Sequence, residues 1–117
     1  ILINKGDNKF DIEKLPALAQ SIPILTSDVY DVNNDGYEDI IIGGNIYNTE
    51  VETPRLDNQF ALVLISNKNS NYNVIGPDKS GLYLSGNTKS IKIIGNESPK
   101  LLVANNNSNL EVFELNK

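Results

Sequence analysis

The chain has 117 residues and a formal net charge of −5, which comes from 10 basic and 15 acidic side chains. This acidic balance disfavours binding to the phosphates of nucleic acids. The absence of cysteine and histidine excludes disulfides and thiolate chemistry, and it removes the commonest general base and transition-metal ligand. No apolar run reaches the roughly 20 residues that span a bilayer, so we expect no membrane span, and no signal peptide is visible. Because the chain lacks methionine and opens on Ile-Leu-Ile, we expect it to be a piece of a longer protein.

The first 32 residues predict a β-hairpin, a connector and a further strand. Residues 1–4 and 10–12 surround a Gly-Asp-Asn turn, and apolar and polar residues alternate in the second of them, which is typical of a hairpin. Residues 14–23 contain two prolines and allow at most one helical turn, between Pro16 and Gln20. Residues 24–32 then return to an extended pattern and lead into a polar loop.

This polar loop has oxygen-bearing side chains at its first, third, fifth and ninth places and a glycine at its sixth, Gly36. Such spacing wraps a chain around a hard cation, and calcium is the natural occupant. The predicted ligands are the side chains of Asp31, Asn33, Asp35 and Asp39 and the backbone carbonyl of Tyr37. The alternative is a solvated Asn/Asp turn without a metal. An EF-hand does not fit, because its twelfth place requires a bidentate glutamate and here holds Ile42.

The rest of the chain predicts only strands and turns. The run Ile40–Ile42 does not alternate with polar residues, which indicates burial on both faces, and Gly43 and Gly44 either allow a close backbone approach or end the strand. Eighteen asparagines, many of them clustered in 67–73 and 105–109, predict turns. Further strands are predicted at 60–65, 72–75, 82–84, 90–94, 101–104 and 110–115, with a turn at 67–71 and a loop around 76–78 between them. Since no stretch of ten residues has a convincing helical period, the predicted fold class is all-β.

The polar excursion at residues 46–59 has several possible roles. It could be a ligand-contacting loop in which Arg55 binds a carboxylate and Tyr47 stacks on a sugar. Alternatively, Arg55 pairs locally with Asp57 or Glu52, and the loop packs against the structure that follows. A third interpretation is a glycosidase-like pair of carboxylates drawn from Glu50, Glu52 and Asp57. It is disfavoured, because nothing in the sequence positions two of these side chains for hydrolysis.

Internal similarity indicates a repeat. Residues 1–3 are similar to residues 62–64, and residues 40–42 are similar to residues 101–103, so both pairs are 61 positions apart. The repeating unit has four strands, which is the blade of a β-propeller. The predicted division is the last two strands of a preceding blade (1–15), a connector (16–23), a complete blade with the calcium loop (24–75) and an incomplete, degenerate blade (76–117).

The loop sequence Asp31-Val-Asn-Asn-Asp-Gly-Tyr-Glu-Asp-Ile40 resembles the calcium loop of FG-GAP or VCBS-type repeats in integrin-α-like β-propellers. Further similarity to the terminal blades of bacterial VCBS-repeat proteins related to cartilage acidic protein is found at residues 15–20, at the Gly-Gly-Asn turn 43–45 and at residues 50–57 and 60–65. Only the loop is a specific motif. In the second copy of the unit, Ile93 and Lys100 replace the first and last carboxylates, so we expect no metal there.

This resemblance implies an extracellular or cell-surface, calcium-binding β-propeller repeat without catalysis of its own. Its implied role is adhesion or the binding of a carbohydrate or protein ligand, with the remaining blades of the parent chain as further partners. The alternative is that the blades are the scaffold of a larger secreted enzyme, such as a polysaccharide-degrading protein.

Overall fold

The computed structural model describes residues 1–58, 60–67 and 71–116. Within these ranges the chain is all-β, as predicted, with two single helical turns between strands. The strands are β1 (Leu2–Gly6), β2 (Lys9–Ile12), β3 (Thr26–Tyr30), β4 (Asp39–Gly43), β5 (Leu62–Ser66), β6 (Tyr72–Ile75), β7 (Thr88–Ile94), β8 (Lys100–Asn105) and β9 (Glu111–Glu114). The helical turns are α1 (Ala17–Gln20), inside the predicted connector, and α2 (Pro77–Ser80).

All strand pairs in the described residues are antiparallel, and they form three separate sheets. The β1–β2 hairpin stands alone, β3 to β6 form a four-stranded sheet in chain order, and β7 to β9 form a three-stranded sheet in chain order. The predicted turn at 67–71 includes residues 68–70, which lie outside the described residues. At its ends, the Asn67 amide donates to the Asn71 carbonyl at 2.8 Å and so closes the β5–β6 hairpin.

The predicted strand at 82–84 is wrong, although the residues that suggested it are buried. Leu82 and Leu84 are 6% and 0% exposed, whereas Tyr83 between them is 58% exposed, so the alternation reflects burial without strand pairing. The segment just before it, which the sequence suggests is a loop, contains α2. Pro77 begins this turn, and Gly81 ends it in the left-handed conformation at φ 70°.

Strand β4 separates two hydrophobic cores, which confirms that its isoleucines are buried on both faces. Ile41 belongs to the core between the four-stranded and three-stranded sheets, where it is buried with Val63 and Leu101. Ile42 faces the opposite way and packs with Leu62 and with other residues that include Ala19 of α1. The connector that carries α1 therefore covers the outer face of the four-stranded sheet.

Strands β3 and β7 lie side by side at the edges of their sheets without forming a ladder with each other. Side chains of β3 bind the amides of β7 instead: Thr26 Oγ1 accepts from Ile91 N at 3.0 Å, and Asp28 Oδ2 accepts from Ile93 N at 2.6 Å. Asp28 Oδ1 also pairs with Lys92 Nζ at 2.7 Å. Burial raises the pKa of Asp28, but these bonds outweigh it and hold the pKa below its ordinary value.

The β1–β2 hairpin exposes one apolar face. Leu2 lies opposite Ile12, and Asn4 lies opposite Phe10, so all four side chains are on the same face. Ile12 is 80% exposed and Leu2 is 66% exposed.

Among the described residues, no helix has the length and apolar character needed to cross a membrane.

Candidate functional site

The predicted calcium loop connects β3 to β4, so that both of its ends are fixed by one strand pair. Tyr30 and Asp39 are directly opposite each other in this pair. The chain reverses between them by using positive φ at Asn34 (56°) and Gly36 (88°). Asparagine and glycine are the residues that adopt this conformation most readily, which is why the turn can be so tight.

The side chains at the first, third and fifth places of the loop lie together and bind its backbone. Asp31 accepts hydrogen bonds from Asp35 N at 3.1 Å and from Gly36 N at 2.9 Å. Asn33 Oδ1 accepts from the same Asp35 N at 3.0 Å, and Asn33 Nδ2 donates to Asp35 Oδ2 at 3.0 Å. Asp35 Oδ1 accepts from Tyr37 N at 2.9 Å. These bonds hold three of the five predicted ligands close to one another at the exposed end of the loop.

Asp39, at the ninth place, is fully buried at the base of the loop. Its Oδ2 accepts from Val32 N at 3.0 Å, and its Oδ1 accepts from Ser66 N at 2.8 Å. Ser66 ends β5, so this carboxylate joins the start of the loop to a strand 27 residues away. Two charge-assisted hydrogen bonds of this kind stabilise a buried carboxylate that would otherwise be costly.

The donor set fits a hard cation by its chemistry. Across the parts of the chain that the structure describes, no three acidic side chains are grouped closely enough to hold a metal ion. The loop oxygens bind backbone and amide N–H groups instead. Each carboxylate oxygen has a second lone pair that these bonds leave available.

The corresponding loop of the second copy has a different chemistry. Ile93 packs against the core between the two sheets. Gly95 turns the chain at φ 81°, and Lys100 Nζ lies 3.7 Å from Glu114 Oε1. The place of the last carboxylate is therefore taken by a cation that pairs with the neighbouring strand.

In the 46–59 excursion, Arg55 pairs locally with Asp57, which is one of the interpretations that the sequence allowed. Its Nη2 lies 3.2 Å from Asp57 Oδ2, and its guanidinium lies 4.8 Å from the centre of the Tyr47 ring. Tyr47 Oη donates to the Ser85 carbonyl at 3.2 Å, so the excursion packs against the segment that leads into β7. Burial and the nearby charge of Asp57 raise the pKa of Tyr47.

Asn45 is a fully buried polar residue whose importance the sequence does not reveal. Its side-chain amide donates to the carbonyls of Leu84 at 3.2 Å and Gly86 at 2.7 Å, and its Oδ1 accepts from Asn58 N at 3.0 Å. Its backbone amide donates to the Thr88 carbonyl at 3.2 Å. Asn45 thus joins the end of β4, the excursion and the segment before β7, although its place after Gly-Gly suggests only a turn.

A polar cleft of about 410 Å³ lies between the excursion and the turn that connects β8 to β9. One wall is formed by Tyr47 and Asn48, and the other by part of the asparagine cluster at 105–109. The sequence predicts this cluster only as a turn, since nothing local indicates which segment lies across from it.

Comparison with protein families, with curated proteins and with solved structures finds no match for this chain.

Proposed function

We propose that the chain is a calcium-binding pair of β-propeller blades in an extracellular or cell-surface protein, with a non-catalytic role in adhesion or ligand binding. In this proposal calcium rigidifies the loop from Asp31 to Asp39, and other loops contact the ligand. The observation that carries the proposal is the arrangement of Asp31, Asn33 and Asp35, which lie together on one tight turn with oxygen atoms as their metal-binding groups.

Several features of the loop support a calcium site. Its side-chain donors are carboxylates and an amide, which suit calcium better than softer metals. Asp31 is half-buried and Asp35 is exposed, so a cation from solvent can reach both side chains. Asp39 is buried at the base of the loop, where it binds Val32 N. Asp31 and Asp35 lie together on one short loop and repel each other, so a divalent cation bound there would lower the free energy of the folded loop.

The arrangement of the sheets supports the propeller. The two larger sheets follow the same antiparallel chain order, and their first strands, β3 and β7, lie next to each other. Successive blades of a propeller stack face to face in this manner. Side-chain bonds from Thr26 and Asp28 to the amides of β7 keep the two sheets separate at this point.

Thermal melts with and without calcium test the metal in this proposal. We expect millimolar calcium to raise the melting temperature and a chelator to lower it, because calcium binds only the folded loop. The Asp35→Ala variant should lose this response. Asp78→Ala changes an exposed carboxylate of α2 outside the loop and is the matched control.

Two results would contradict the proposal. A melting temperature that responds neither to calcium nor to chelator would refute the metal site. A crystal structure in which β3 and β7 form a continuous ladder, so that the two sheets merge into one, would refute the propeller.

A further inference from the structure

We infer that the polar cleft between the excursion and the β8–β9 turn is a binding site for a neutral, polyhydroxylated ligand, that is, for a sugar residue of a glycan. This inference names the ligand class for the binding role proposed above and rests on that role. The residues that line the cleft are Tyr47, Asn48, Gly86, Asn87, Asn106, Asn107 and Ser108.

Hydrogen bonds hold the two walls of the cleft in place. Asn106 N donates to the Asn87 carbonyl at 2.9 Å, which fixes the β8–β9 turn against the segment before β7. Tyr47 Oη bonds to Ser85 on the other side. The side chain of Asn105 fills the space that a Cβ at Gly86 would occupy, which favours glycine at the floor of the cleft. Because both walls are fixed, a ligand meets a preformed site.

One buried polar atom of the cleft lining lacks a partner. Asn87 is 7% exposed, and its Oδ1 accepts no hydrogen bond from the described residues. Buried polar atoms in folded proteins are nearly always bonded to protein, water or ligand. The Asn87 oxygen is an acceptor, which an ordered water or a ligand hydroxyl group would satisfy.

The lining of the cleft is uncharged, which favours neutral ligands over ionic ones. None of the lining residues carries a formal charge. The arginine of the excursion, Arg55, is paired with Asp57 and stacked on Tyr47. Carboxamide and hydroxyl groups both donate and accept, which matches adjacent sugar hydroxyls, and the aromatic ring of Tyr47 adds an apolar surface.

Two-dimensional NMR of the ¹⁵N-labelled chain tests this site. The probes are D-glucose, D-galactose, D-mannose, N-acetyl-D-glucosamine and, as a charged analogue, D-glucuronate. We expect at least one neutral sugar to shift the amide signals of Asn48, Asn87, Asn106 and Asn107, with a dissociation constant on the order of millimolar for a single sugar unit.

Asn106→Ala is the informative variant, because the side chain is exposed and the backbone bond to Asn87 remains. It should weaken sugar binding roughly three- to tenfold through the loss of one hydrogen bond, without changing the melting temperature. The control is Asn96→Ala, an exposed asparagine in the β7–β8 connection at the other end of the same sheet.

Three outcomes would overturn the inference. If none of the sugars shifts the cleft amides, the unpartnered Asn87 oxygen binds ordered water only. If Asn106→Ala binds as tightly as the unchanged chain, the sugar lies elsewhere, and if glucuronate binds more tightly than glucose, the ligand is not neutral. The titration is performed with calcium and with chelator, so a failure of the calcium site is seen separately from a failure of the cleft.

Discussion

Asn45 provides the sharpest test of how the two larger sheets are joined. Its side chain makes three hydrogen bonds to backbone groups, namely Leu84 O, Gly86 O and Asn58 N, and it is fully buried. In Asn45→Ala all three bonds are lost, and Leu84 O and Asn58 N are left without this partner, whereas Gly86 O keeps its bond from Thr88 N at 2.9 Å. Each bond contributes about 0.5–1.5 kcal/mol, and an unsatisfied buried group costs about 1–3 kcal/mol. We therefore expect the free energy of unfolding to fall by about 2–5 kcal/mol.

The assay is a thermal or urea melt. At about 4 °C per kcal/mol for a domain of this size, the melting temperature should fall by about 8–20 °C. Asn48→Ala, an exposed asparagine three positions further on, should stay within about 0.5 kcal/mol of the unchanged chain. If Asn45→Ala melts within about 2 °C of the unchanged chain, the reasoning that these bonds join the sheets is refuted.

Asn45→Asp separates hydrogen bonding from the volume of the side chain. Aspartate keeps the oxygen that accepts from Asn58 N but places a carboxylate against the carbonyls of Leu84 and Gly86. We expect a loss of stability at neutral pH that partly recovers as the pH falls, because a protonated carboxyl can donate to a carbonyl. A loss that is independent of pH would show that the two carbonyl contacts are not important.

Two further substitutions test local features of the fold. Gly44→Ala should cost about 2–5 kcal/mol in a urea melt, because φ is 145° and a Cβ would lie 2.7 Å from the Cβ of Leu25. Gly81→Ala, at φ 70° in open space, should cost only about 1 kcal/mol, and equal costs would contradict the predicted clash. Asp28→Asn should be less stable than the unchanged chain at neutral pH, since it loses the charge that pairs with Lys92. The lowered pKa of Asp28 means that its stabilisation is present above the unfolded pKa of about 3.9 and is lost as the pH falls through the folded pKa. The difference between these two proteins should therefore shrink below about pH 4, and a difference that stays constant would contradict this assignment.

The strands could be predicted largely from the sequence, because apolar runs bounded by asparagine and glycine are local signals. The run Ile40–Ile42 indicated a strand buried on both faces, and β4 separates two cores. The same logic failed at 82–84, where alternating burial occurs without strand pairing. Alternation reports which side chains face a core, and only a partner strand makes the segment a strand.

The candidate site was predictable only in part. The spacing of Asp31, Asn33 and Asp35 identified side chains that do lie together on one turn. It could not identify the role of Asp39, whose bond to Ser66 N depends on a strand 27 residues away. The cleft was missed for the same reason, because its walls come from the excursion and from the turn around Asn106. Long-range partners leave no trace in a local pattern.

Isothermal titration of the chain with calcium tests the central claim most directly. The loop from Asp31 to Asp39 predicts one calcium ion per chain, with a dissociation constant on the order of 10⁻⁴ to 10⁻³ M, the range of weak calcium-binding modules. Binding should disappear in Asp35→Ala and persist in Asp78→Ala. The absence of any binding heat together with an unchanged melting temperature would contradict the claim, as would an undiminished titration of Asp35→Ala.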